Sequence, residues 1–124
     1  MSLSNDLENK LLDHIRGGTA YSQPSGIYVK LHTGSPGEDC TENTAANTVR
    51  DQVTFGAASG GSIASNALVE WTSVSDSETY SSISLWDDST AGNPLGYGDL
   101  SSTVAVTAGD TFQITTGNLT WTLD

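Results

Sequence analysis

The segment Gly26 to Glu38, GIYVKLHTGSPGE, constrains this chain more than any other stretch. Ile27, Val29 and Leu31 alternate with Tyr28, Lys30 and His32, which is the period-two pattern of a strand with one buried side. Gly34-Ser35-Pro36-Gly37 then ends the strand, since proline and glycine suit a turn and weaken a ladder. The rest of the chain repeats this grammar, with short β-rich runs separated by clusters of Gly, Ser, Thr, Asn and Asp.

Val49 to Phe55, NALVEWTS at 66–73 and YSSISLWDD at 80–88 read as strands, and Leu95 to Leu100 returns from the turn sequence that begins at Asp87-Asp88. STVAVT at 102–107 puts Val104 and Val106 on one face. DTFQITT adds Phe112 and Ile114, and NLTWTLD alternates Leu119, Trp121 and Leu123. Residues 38–48 have no period and read as an exposed loop, and the small residues 56–65, GAASGGSIAS, as a loop that stays mobile unless a partner orders it. The expected fold is all-β, an antiparallel β-sandwich or jelly roll of about seven to eight strands. The absence of helices between strands excludes a doubly wound α/β fold.

One amphipathic helix precedes the strands, expected from Leu3 to Arg16, with Leu3, Leu7, Leu11 and Ile15 at spacing four and Leu12 widening the stripe. Asn5 or Ser4 supplies the cap, and Gly17-Gly18 ends the helix. So short a helix needs packing, on its own β domain or on a neighbouring subunit, and the former is the commoner fate. The expected division is an N-terminal helix or arm over 1–18 and a β domain over 19–124, since 124 residues suffice for one core.

Fifteen acids against four bases give a formal charge of −11, and no Lys or Arg follows Arg50. That balance repels phosphate backbones and anionic lipid, so neither nucleic acid nor a membrane is an expected partner. No run approaches the roughly 18 apolar residues of a membrane span, and no signal peptide is expected. The single Cys40 excludes an intrachain disulfide and suits assembly in a reducing cytoplasm.

Nucleophilic catalysis needs an activated Ser, Thr or Cys, yet the two histidines, His14 on the helix and His32 on a strand, sit in no catalytic motif. The chain is expected to be no enzyme and to hold no cofactor. Asp76-Ser77-Glu78 and the turn from Asp87 to Asn93 offer clustered oxygens but lack calcium-loop spacing, so no metal is expected. Asn118-Leu119-Thr120 has the form of a glycosylation acceptor but falls inside a predicted strand. Trp71, Trp86 and Trp121 suit a carbohydrate platform if exposed, while the area that an indole buries favours core or interface for at least two of them.

The order of motifs resembles a family of small tailed-bacteriophage virion proteins, often labelled tail-fibre-like, some of which look like capsid decoration proteins. Carrying the resemblance are Leu7-Glu8-Asn9 with Leu11-Leu12-Asp13-His14, Ile27-Tyr28-Val29, Leu31-His32-Thr33 and Pro36-Gly37-Glu38. Further along come Val53 to Gly61, Val69-Glu70-Trp71, Ile83 with Leu85-Trp86-Asp87, Thr90 to Asn93, Gly96 with Gly98 and Leu100, and Ala108 to Phe112. The resemblance implies a non-enzymatic virion structural protein at the particle surface. The first expectation is a decoration or cement protein, with a trimer as the favoured symmetry, bound to the major capsid protein. The alternatives are a tail or tail-fibre protein bound to other tail proteins, and a carbohydrate-binding module. Leu3, Leu7 and Leu11 on the helix, with Glu38, Asp39 and Glu42 on the loop, are the candidate partner-binding residues.

Overall fold

Antiparallel strand pairing organises the fold. In the computed structural model, which describes residues 1–123, the elements follow in the order β1 (Ser2–Leu3), α1 (Asn5–Ile15), β2 (Ile27–His32), β3 (Asp51–Val53), β4 (Ser62–Ala64), β5 (Val69–Trp71), β6 (Glu78–Trp86), β7 (Pro94–Val106), β8 (Phe112–Ile114) and β9 (Thr120–Thr122). The class is all-β with one short helix, and every pairing is antiparallel. Hydrogen bonding divides the strands into a five-stranded sheet in the order β1-β7-β6-β2-β3 and two ribbons, β4-β9 and β5-β8.

Opposed residues of an antiparallel pair share a face, so the register defines two surfaces of the large sheet. Val29 lies opposite Leu85 and Leu31 opposite Ile83, and these four side chains form the inner face. The ribbons add Val69, Trp71, Phe112, Ile114 and Trp121 to the same apolar cluster. Trp71 and Tyr80 both pack on the Phe112 ring, at centroid separations of 5.5 and 5.2 Å. Ile27, Val29 and Leu31 point inward as the alternation requires, with Ile27 half-buried at the margin. Gly96 lies against the β1 backbone and the Trp121 ring. A Cβ there would stand 2.5 Å from the Ser2 carbonyl oxygen and 2.7 Å from Trp121 Cζ2, so only glycine fits.

Three expectations need correction. The helix starts at Asn5 instead of Leu3, because Ser2 and Leu3 pair with Tyr97 and Gly96 as a short edge strand. Of the two expected caps it is Ser4 that serves. Its buried Oγ accepts the Leu7 amide at 3.2 Å and donates to the Pro94 carbonyl at 2.7 Å, tying the helix start to β7. The runs 95–100 and 102–107 fall in the single strand β7, which stays paired to β6 along its length through a register irregularity between Tyr80 and Ser82 and takes β1 on its other edge. Residues 56–65, expected to be mobile, instead turn back at Gly60 and Gly61, both with positive φ, and enter β4, paired to β9. Two glycines allow that reversal, and the pairing partner lies sixty residues away, beyond the reach of a local pattern.

Candidate functional site

The three leucines singled out in the helical region converge on one cleft. Leu3 from β1 and Leu7 and Leu11 from α1 line a space of roughly 330 Å³, closed opposite by Ile27, Ile63 and Trp121. Among the described residues Tyr21 is its sole ionisable lining residue, and its hydroxyl pKa is raised, chiefly by burial. Burial grades along the helix: Leu7 is 6% exposed and packs in its own core, Leu11 is half-buried, and Ile15 is 77% exposed beside the exposed Leu12. The stripe therefore continues beyond the surface that its own chain covers.

Glu38, Asp39 and Glu42 lie exposed on the loop after β2. Glu38 borders the helix, where its carbonyl accepts the Asn5 amide at 3.2 Å and its carboxylate accepts Asn5 Nδ2 at 3.2 Å. Asp39 and Glu42 make no contact with the cleft. Although the loop has no sequence period, it is pinned along its length. Thr33 donates to the Asn43 carbonyl and Ala45 to the Leu31 carbonyl. The Glu78 carboxylate accepts the Ala46 and Asn47 amides at 2.9 and 3.0 Å, and the buried Cys40 thiol donates to the Gly96 carbonyl at 3.5 Å. Burial, then the nearby Asp39 charge, pushes the Cys40 thiol up to about 11, so it stays protonated and unreactive at neutral pH.

The loop covers the outer face of the large sheet at His32. That ring is 0% exposed, with Nδ1 2.8 Å from the Glu42 carbonyl and Nε2 2.7 Å from Ser84 Oγ. A carbonyl only accepts, so Nδ1 carries the proton, Nε2 accepts from Ser84, and Ser84 in turn accepts the Trp86 indole N–H at 2.8 Å. Burial holds the His32 pKa below its ordinary value, and the Lys30 and Arg50 charges act in the same direction against the Glu42 and Asn43 carbonyls. A serine hydroxyl on a histidine nitrogen is also how a nucleophile is activated. Here Ser84 is 0% exposed and its oxygen already accepts the indole N–H, so a substrate has no approach and the chain of bonds serves packing.

The remaining candidates have structural roles. Asp87 accepts the Asn93 amide at 2.6 Å and Asn93 Nδ2 at 3.1 Å, closing its turn, and Asp51 accepts the Glu70 amide at 2.8 Å. Among the described residues no group of three or more His, Cys, Asp or Glu side chains is placed to hold a metal ion. All three tryptophans are buried, so they form no exposed stacking platform. Trp71 donates its indole N–H to the Val49 carbonyl at 2.9 Å.

Sequence reasoning missed Ser84, Glu78 and the covered state of His32. No signal marked them: serines at 82 and 84 alternating with Ile83 and Leu85 are the ordinary pattern of a strand with one solvated face. The cleft's far wall, Ile63 and Trp121, depends on the β4-β9 pairing, which has no local signature.

Among curated proteins none matches the chain. Residues 2–122 match the family described as podophage GP4 fiber I protein gp80. The chain belongs to this family, and with it to the small tailed-phage virion proteins that its motifs resemble.

Proposed function

We propose that this member of the podophage fiber I family is a non-enzymatic structural component of the tail-fibre assembly. The observation that carries the reading is the family match, which spans residues 2–122 and so takes in both the helix and every strand. The family's description names a fibre. Head decoration through the major capsid protein, the first expectation from sequence, draws no support from it, and the tail alternative takes its place.

The partners are then other tail proteins and further copies of the chain, a trimer being the expected symmetry, displayed on the particle after assembly in the host cytoplasm. The cleft lined by Leu3, Leu7 and Leu11 is the contact for an apolar tail-protein side chain, with the helix extending it through Leu12 and Ile15. An uncharged recess on a chain of charge −11 suits such a contact, because an apolar side chain enters it without desolvating a carboxylate. Immunogold labelling of intact particles tests the location: gold confined to the tail supports the proposal, and gold spread over the head overturns it.

A further inference from the structure

The outer face of the large sheet holds an arrangement of charge that the chain itself leaves unmatched. Lys30 Nζ lies 5.4 Å and the Arg50 guanidinium carbon 4.1 Å from the centroid of the Trp86 ring, so two cations share one indole. Arg50 Nη1 donates to the carbonyls of Asp88 and Ala91 at 2.8 and 2.7 Å, with the Asp88 and Asp87 charges nearby. Lys30 has no such company. The chain's other two bases are paired, Lys10 with Asp6 at 2.6 Å and Arg16 with Asp13 at 2.7 Å, and among the described residues Lys30 has no carboxylate within ion-pair distance. Burial lowers the Lys30 pKa and the Arg50 charge lowers it further; a carboxylate brought to this spot would offset the Arg50 repulsion and favour the charged ammonium.

The reciprocal deficit is on the same chain. Glu38, Asp39 and Glu42 are exposed, and none enters an ion pair among the described residues. The Glu78, Cys40 and His32 contacts hold their loop in place, so docking it costs little ordering entropy. Each copy thus carries one cationic patch short of a carboxylate and one preorganised carboxylate patch short of a base.

We propose that these patches meet between copies, the Glu38–Glu42 loop of one protomer docking on the Lys30–Trp86–Arg50 patch of the next. The occupant is a second copy because the charges are complementary within one sequence. Two chains of charge −11 repel one another overall, and a register that brings an acidic patch onto this basic one offsets that repulsion locally. Arginine and tryptophan beside the half-buried Tyr28, which lies opposite Trp86, form the side-chain set that dominates interface energetics. The inference deepens the homo-oligomer part of the function proposed above and does not depend on where the particle carries the protein.

Sedimentation equilibrium of the full chain tests it, with circular dichroism confirming that each variant is folded. The wild type self-associates. Lys30→Glu alone, and the triple reversal Glu38→Lys, Asp39→Lys and Glu42→Lys alone, each raise the dissociation constant at least about tenfold, and an equimolar mixture of the two restores association. Lys30→Gln keeps an apolar stem on the indole and carries the test if Lys30→Glu unfolds. A wild type that stays monomeric, a mixture no tighter than either variant alone, or a Lys30→Gln protein that associates like wild type overturns the contact. Tail labelling with a monomeric protein leaves the fibre reading standing without this interface, and head labelling with the expected charge-swap result leaves the interface without the fibre.

Discussion

On β2, Val29 and Leu31 point to a face where their cross-strand neighbours Leu85 and Ile83 are apolar, whereas Lys30 and His32, on the same backbone, face serines, an indole and a loop. The inner face is held by area removed from water, which is non-directional and tolerates exchange among side chains of similar volume. The outer face near His32 is held by a chain of directional bonds in which Trp86 donates to Ser84, Ser84 to His32 and His32 to the Glu42 carbonyl. Apolar burial forgives detail, and a buried polar network does not.

The largest expected effect is on the inner face. Leu31→Ala opens a cavity beneath Val29 and Ile83, where Leu31 is fully buried, and should cost about 2–5 kcal/mol in chemical denaturation. Leu31→Met, by contrast, should cost less than about 1.5 kcal/mol. On the outer face the order reverses, because the smallest change is the damaging one. Ser84→Ala leaves His32 Nε2 and the Trp86 indole N–H without their partner, and should cost about 1–3 kcal/mol for loss of a single oxygen. Equal losses for Leu31→Met and Ser84→Ala would erase the distinction.

That contrast also explains how much was legible in the sequence. Val29 and Leu31 announce the inner face by period, and Leu119 and Trp121 do the same for β9. His32 has the period of an exposed residue, yet a loop without any period covers it. The loop reaches it through the Glu42 carbonyl and is anchored by Glu78, which accepts the amides of Ala46 and Asn47, 32 and 31 residues earlier, and no local pattern encodes such contacts. The same holds for the cleft. Its leucine wall was legible as a stripe, but the wall contributed by Ile63 and Trp121 requires knowing that residues 62–64 pair with 120–122. Ser2 and Leu3 were misread because a helical stripe extends through Leu3 while the pairing to Gly96 does not show in sequence.

Smaller effects separate the two faces by pH. With its pKa lowered from 6.5 in the folded state, His32 contributes stability that is present above the unfolded value and lost as pH falls through the folded one. Wild-type melting temperature should therefore drop, as pH falls below the ordinary histidine value of 6.5, more steeply than that of His32→Gln, which has no ring to protonate. Parallel profiles would mean that His32 does not titrate on unfolding. The smallest effect is chemical. Cys40, buried and held near 11, should react with an aromatic disulfide reagent only on the timescale of unfolding, and a stoichiometric burst in native buffer would show that the loop leaves the sheet unaided.

The central claim concerns the place of this fold in the particle, and copy number reads it most directly. Quantitative mass spectrometry of purified virions, referenced to the major capsid protein, should find a handful to a few tens of copies per particle, as a fibre component requires. Hundreds of copies, in proportion to the capsid protein, would contradict the account and return the chain to the head.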